Sequence, residues 1–523
     1  MDMFIKLAFL VVFFGVMVGI GLYCRKHTTD VNGFVLGGRA VGPWLTAFAY
    51  GTSYFSAVVF VGYAGQFGWK YGIAATWAGI GNALLGSLLA WVVLGRRTRV
   101  MTQHLDSATM PQFFENRFQS RSLKLAASAI IFIFLIPYTA SLYNGLSRLF
   151  GMAFHVDYAV CVIAMAVLTG VYVIAGGYMA TAINDFIQGI IMIVGIIAVV
   201  GAVIKSQGGF LAALDGLARV SDPTVSDTPG VFASFFGPDP VGLLGVVLLT
   251  SLGTWGLPQM VQKFYAIRSE KAIDKGTIIS TVFAAIVAGG CYFLGGFGRL
   301  FSDQVDVAAN GYDSIVPTML EGLSTVLIAV VVILVLSASM STLSSLVLAS
   351  SSTLTLDFIK DTIVKDMDEK RQILTMRLLI VVFIAISVVL AIVQYRSNVT
   401  FIAQLMGVSW GALAGAFLAP FLYGLYWKKT TRGACWVSFL FSTVVMLANI
   451  FFGKYFPTLL QSPINAGAFC ILAGLIIVPV VSLVTPRLPQ GQIDRIFACY
   501  DRKVVVSVKD SIGDHTNPKE ETP

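Results

Sequence analysis

Charge is the scarcest property of this 523-residue sequence: Asp, Glu, Lys and Arg make up 12%, against 57% hydrophobic residues, and mean hydropathy is +0.82. A chain so poor in charge cannot cover a globular surface facing water, which excludes a soluble domain and leaves a polytopic membrane protein. The six cysteines are scattered, five of them within or at the edge of an apolar run, and none form Cys-x-x-Cys. That pattern speaks against disulfides and cysteine-based metal sites. No nucleophile–base constellation, P-loop or metal motif is present, which speaks against an enzyme. Despite a net charge of +8, no basic stripe marks a nucleic-acid surface. A repeated selectivity-filter loop is missing too, against a channel. The polar tail from Pro486 is too short for a signalling domain, which counts against a solute-sensing membrane receptor. The first apolar run is followed, not preceded, by the basic pair Arg25-Lys26 and lacks a small-residue cleavage site, so it reads as a retained helix rather than a signal peptide.

What the sequence has in plenty is apolar runs of about 20 residues, the length that crosses a bilayer as a helix. Thirteen are expected: 4–23, 43–66, 74–94, 125–149, 157–176, 182–204, 240–262, 277–299, 322–350, 375–394, 401–426, 433–453 and 465–484. Threading the chain with its N-terminus outside and its C-terminus inside places 27 of the 35 Lys and Arg residues on the cytoplasmic side, among them Arg96, Arg97, Arg99, Lys263, Arg268, Lys428 and Lys429. Cytoplasmic loops retain basic residues in this way, so the net positive charge is a topology signal. The 95–118 connection is basic and amphipathic and is expected to lie along the inner surface.

Three features interrupt the apolar pattern. Ser337 to Ser352 reads S-A-S-M-S-T-L-S-S-L-V-L-A-S-S-S, and in helical register Ser341, Ser344 and Ser345 share a face, with Thr342 one turn after the Ala338 carbonyl. Hydroxyl and carbonyl oxygens there suit a small hard cation, with small-residue packing as the alternative. The second run is interrupted by Gly51, Thr52, Ser53 and Ser56, as a broken helix lining a cavity or a kinked helix packed by small residues would be, and the seventh by Gly253, Gly256 and Pro258. The two broken runs stand five apart, and an odd number of spans per repeat inverts the second copy; two inverted halves with a midplane site follow. Asp185 stands within apolar sequence at the start of the sixth run, where an acid is functional by default and a helix cap is the alternative.

Four motifs, G-G-R-A-V-G-P at Gly37 to Pro43, G-G-Y-M-A-T-A-I-N-D at Gly176 to Asp185, G-L-P-Q-M-V-Q-K-F at Gly256 to Phe264 and M-S-T-L-S-S at Met340 to Ser345, resemble those of the sodium/solute symporter family. Lys428 to Ala434 matches a further family signature, and the resemblance runs through the thirteenth span. It implies an all-α polytopic membrane protein of about 13 transmembrane helices with a leucine-transporter-type 5+5 inverted-repeat core, N-out and C-in. The expected divisions are 1–42 (first helix and cytoplasmic loop), 43–206 (first repeat), 207–239 (extracellular loop), 240–426 (second repeat), 427–485 (last two helices) and 486–523 (cytoplasmic tail).

The resemblance also implies Na⁺ as coupling ion, one or two per cycle. Carried onto this chain, the general sodium site uses the carbonyls of Thr52, Phe55 and Ala338 and the hydroxyls of Ser341 and Thr342. A second site found in some members matches Asp185, Ser341, Ser344 and Ser345. The substrate pocket follows no pattern in full: Tyr54 replaces the acid of proline-transporting members, and Thr250 and Thr254 replace aromatic residues. Tyr50, Ser53, Tyr54, Trp77, Tyr138, Trp255 and Gln404 are the pocket candidates by position. The expected activity is sodium-coupled import of a small polar organic solute by a monomer in the plasma (inner) membrane. An amino acid such as proline or a small carboxylate is preferred over a sugar or sialic acid, and proton coupling through Asp185 is the competing mechanism.

Overall fold

The computed structural model describes residues 2–25, 30–154, 157–307, 311–364, 367–397 and 402–500. The tail beyond Tyr500 and, from the basic count, Lys26 and Lys365 lie outside the described residues. Among them the chain is all-helical, with two isolated β-bridges and no sheet. The main helices are α1 (Asp2–Cys24), α2 (Pro43–Thr52), α3 (Ala64–Tyr71), α4 (Thr76–Gly81, running on through π turns to His104), α5 (Arg121–Phe154), α6 (Tyr158–Ser206) and α7 (Pro240–Leu252). They continue with α8 (Pro258–Ala266), α9 (Glu270–Gly295), α10 (Thr325–Thr353), α11 (Glu369–Ser397), α12 (Ile402–Tyr426), α13 (Arg432–Phe452) and α14 (Pro463–Val484).

Nine helices among the described residues are long and apolar enough to cross a membrane, or ten if the bent pair 240–255 and 258–266 is one span. Two of the nine exceed a single crossing. At 1.5 Å per residue the 49 residues of α6 would reach about 74 Å, against about 30 Å of hydrocarbon. The helix is broken within that length at Gly177, whose φ of 54° and ψ of −148° only glycine adopts freely. The break falls between the expected fifth and sixth spans.

The helices sort into an inner and an outer set by their side chains. α10 is buried at nearly every residue from Val331 to Thr353, and α12 from Leu405 to Phe421. By contrast α11 presents Val381, Ile386, Val389 and Val393, and α14 presents Ile476, Val480 and Val484, on exposed faces. In a membrane that is the lipid side, where an apolar face needs no partner. Glycines let the inner set approach closely: a Cβ on Gly68 would meet the Gly295 carbonyl oxygen at 1.8 Å, and one on Gly256 the Ala414 Cα at 2.8 Å. The second break thus seats directly on α12.

The connection 95–118 forms two short helices, Arg96–His104 and Met110–Phe118. It is less peripheral than its amphipathic pattern suggests, because Arg117 is fully buried and donates to the carbonyls of Gly424 at 2.8 Å and Trp427 at 3.1 Å. The G-G-R-A-V-G-P motif is a backbone clasp. Gly37, Gly38 and Arg39 take left-handed φ values of 59°, 69° and 56°, and Val41 then pairs with the chain after α8: its N–H donates to Ala266 O at 3.2 Å and its carbonyl accepts from Arg268 N at 3.0 Å. The Arg39 guanidinium reinforces this, donating to Ser107 O at 2.7 Å and Tyr265 O at 3.3 Å.

Candidate functional site

The helical ladder lapses over Ser53–Ser56, between α2 and a π turn that begins at Val58 and leads into α3. Ser53, Thr52 and Gly51 are poor at sustaining a helix, because hydroxyls compete for the backbone and glycine adds entropy to the unwound form. The carbonyls of Thr52 and Phe55 flank this gap and point at α10. The hydroxyl of Ser341 lies 3.1 Å from Thr52 O and 3.1 Å from Ala338 O. That of Thr342 lies 3.1 Å from Thr52 O, 3.2 Å from Phe55 O and 3.0 Å from Ala338 O. The five residues expected for the general sodium site therefore converge, all of them buried.

Five oxygens meet there with only two hydroxyl protons among them. Each hydroxyl has one hydrogen to give, so most of the lone pairs face one another without a donor. Such a cluster is costly in a buried place unless a cation accepts it. Hard cations of this size sit about 2.3–2.6 Å from oxygen ligands. Carbonyl and hydroxyl oxygens are the ligands such a cation accepts, so the donor set fits Na⁺ in its chemistry.

Asp185 is buried in α6, eight residues past the break at Gly177, and neither carboxylate oxygen accepts a hydrogen bond from the protein. It therefore caps no helix, which removes the capping alternative. Its partner is Lys263, with Nζ 3.8 Å from Asp185 Oδ2 and the two side chains 2% and 0% exposed. The sequence pattern puts Lys263 on the cytoplasmic side, just after a seventh span ending at 262. That placement is corrected: α8 continues to Ala266 and the side chain turns into the core. Its ammonium donates to Ser345 Oγ at 3.0 Å and lies 5.1 Å from the centre of the Tyr178 ring. Ser344 donates to Ser341 O at 2.8 Å.

The pocket candidates divide. Tyr54 lies between the two sodium-site carbonyls in sequence, is buried, and its hydroxyl has no partner; Tyr138 is likewise buried with an unpartnered hydroxyl, its ring edge-on to Trp410 at 6.0 Å. Ser53 Oγ donates to Ala49 O at 2.5 Å and stands 2.9 Å from Ser345 Oγ. Tyr50 and Trp255 are committed to neighbouring backbone, Tyr50 to Gly86 O at 2.8 Å and Trp255 to Leu85 O at 2.9 Å. Trp77 is not brought to this group: its indole donates to Phe235 O at 2.9 Å and packs edge-on against the Phe235 ring, in the segment between α6 and α7. Gln404 is half-buried near the start of α12. Thr250 and Thr254 are satisfied by carbonyls of their own helix, at Val246 and Ser251.

Sequence reasoning passed over Gln259, Trp410 as a pocket residue, and Lys263. Gln259 is wholly buried with neither end of its amide hydrogen-bonded, and the Trp410 indole N–H is unpartnered against Gly253 at the second break. A polar residue just after Pro258 in an interrupted run was the signal for Gln259. For Lys263 the signal was the apolar F-Y-A-I that separates it from the first loop arginine, Arg268.

Residues 34–440 match the model of the sodium:solute symporter family. The chain is 28% identical over 480 residues to the osmoregulated proline transporter OpuE of Bacillus subtilis (strain 168), covering 91% of this chain and 94% of that one. It is also 28% identical over 489 residues to a sodium/proline symporter of Staphylococcus aureus, covering 91% of each. A solved Na⁺-coupled sialic acid symporter, in a substrate-bound outward-open state, superposes with a TM-score of 0.72 at 17% identity over 93% of this chain and 99% of that one, a likeness of fold. Two broken helices and an oxygen cluster between the first of them and α10 accord with the family match over residues 34–440, and that match makes this chain a member of the sodium:solute symporter family.

Proposed function

We propose that the protein imports a small polar organic solute, an amino acid such as proline or a small carboxylate, by alternating access driven by the sodium gradient. Na⁺ is held by the carbonyls of Thr52, Phe55 and Ala338 and the hydroxyls of Ser341 and Thr342. The observation that carries this is the convergence of those five oxygens at 3.0–3.2 Å with two protons between them. The relatives named as proline transporters support the preference for an amino acid. We read thirteen crossings, N-terminus out and C-terminus in, with 43–206 and 240–426 as two inverted repeats.

The chain itself suggests how ion and solute are coupled. Tyr54 sits between two residues whose carbonyls hold the ion, so sodium binding fixes the backbone that aims the Tyr54 phenol. That hydroxyl has no protein partner, as is true of Tyr138, Gln259 and the Trp410 indole; together they offer donors and acceptors to a polar solute. By linkage, a solute that binds the ordered break raises sodium affinity by the same factor that sodium raises its own. Purified protein in proteoliposomes should accumulate labelled proline or a small carboxylate, rather than a hexose or sialic acid, under an inward Na⁺ gradient and not under K⁺. Uptake driven by a pH gradient alone in sodium-free buffer would select proton coupling instead.

A further inference from the structure

Asp185 and Lys263 are a pair of buried charges near the sodium site that the site itself does not use. Their setting overlaps the place offered for a second ion, formed by Asp185, Ser341, Ser344 and Ser345. The ammonium stands 3.8 Å from the carboxylate and donates to Ser345 Oγ at 3.0 Å. The Asp185 oxygens accept no hydrogen bond, so Lys263 is the charge that balances them. Ser344 has its hydrogen turned to Ser341 O. A sodium ion among these residues would share one carboxylate with an ammonium a few ångströms away, in a site too dry to screen the repulsion.

Resting on the sodium-symport reading above, we propose that Lys263 is a tethered cation standing where a second sodium would bind, so that the protein carries one Na⁺ per solute. The hydrogen-bond directions support the role. Ser53 spends its hydrogen on Ala49 O, so Ser345 must donate to Ser53 and accept from Lys263. The chain Lys263, Ser345, Ser53, Ala49 O thus runs from α8 through α10 to the break in α2, one residue from Thr52. The ammonium makes the links between helices that a bound ion would make, but it is covalently held and does not leave with the solute.

The test is direct binding of ²²Na⁺ to the purified full-length protein in a potassium background, read as ions per protein and as the Hill coefficient. Wild type is expected to bind one ion with a coefficient of one, and Lys263→Arg to do the same. Lys263→Gln uncovers the carboxylate and should raise the count to two and the coefficient above one, and adding Asp185→Asn should return both to one. Two ions on the wild type overturn the proposal and leave sodium symport standing, as does a folded Lys263→Gln that still binds one. If Lys263→Gln does not fold, the wild-type count decides. A wild type that binds no sodium overturns the symport reading itself.

Discussion

Replacing Thr342 by Val tests the sodium site with the least disturbance, because it exchanges a hydroxyl for a methyl of nearly equal volume at a fully buried position. The hydroxyl lies within 3.2 Å of all three carbonyls of the site, which makes it the most central of the five oxygens. A hydrogen-bonding group facing a charge contributes about 1.5–3 kcal/mol, or roughly 10- to 150-fold in affinity at about 1.4 kcal/mol per tenfold. The same hydroxyl also serves the carbonyls when sodium is elsewhere, so part of the loss falls on both states. The expected rise in half-saturating sodium is therefore about tenfold, at the low end of that range. Thr342→Ser keeps the oxygen and should stay within about threefold of wild type, under half the effect of a typical lost hydrogen bond to a charge. Ser350→Ala, on the same helix with a hydroxyl that has no partner, should leave sodium dependence unchanged. The assay is the sodium dependence of labelled-solute uptake in proteoliposomes, with thermal unfolding in potassium buffer to show that each variant is folded. An unchanged half-saturation in folded Thr342→Val would refute the assignment.

Tyr54→Phe should raise the solute KM with little change in sodium half-saturation, whereas Trp77→Phe, whose indole serves Phe235, should leave both near wild type; uptake kinetics separate the two. Gly68→Ala would push a methyl into the Gly295 carbonyl and should destabilise by about 1–3 kcal/mol as overpacking does, seen as a lower melting temperature. Burial pushes the Arg117 guanidinium down to about 10, yet leaves it charged at neutral pH; Arg117→Ala strands the Gly424 and Trp427 carbonyls and should lower the yield of folded protein in detergent. Hydrogen bonds from Thr224 and then Arg299 hold the Asp222 carboxyl below its ordinary range. With the folded value depressed, the contribution is full above the unfolded value of about 3.9 and is lost as pH falls through the lower folded one. Protection factors for amide exchange in 207–239, corrected for the intrinsic pH dependence, should therefore be unchanged from pH 7 to 5 and lower in Asp222→Asn over that range.

The convergence of oxygens proposed as the first sodium site was legible because it is built from features visible in composition: hydroxyls crowded on one turn of α10 and a break marked by Gly51, Thr52 and Ser53. The long helices were legible for the same reason, as was the break at Gly177. Lys263 was not, because a basic residue at the edge of an apolar run looks the same whether it leaves the membrane or turns inward. Its partners Asp185 and Ser345 lie 78 and 82 residues away, and only the packing of α6, α8 and α10 brings them together. Trp77 failed differently. Position in a span does not fix which way a side chain faces, and its partner Phe235 comes from a connection with no periodicity to read.

The clasp between Val41 and the chain after α8 bears on how the transporter must move. It stitches the start of the first broken helix to the end of the second, making one lever, while the proposed sodium ligands are divided between that lever and α10. Any inward opening that swings α10 away from the lever pulls Ser341 and Thr342 off Thr52 and Phe55 in the same stroke. On the proposed site, gate and ion latch are one hinge, and sodium leaves as the door opens.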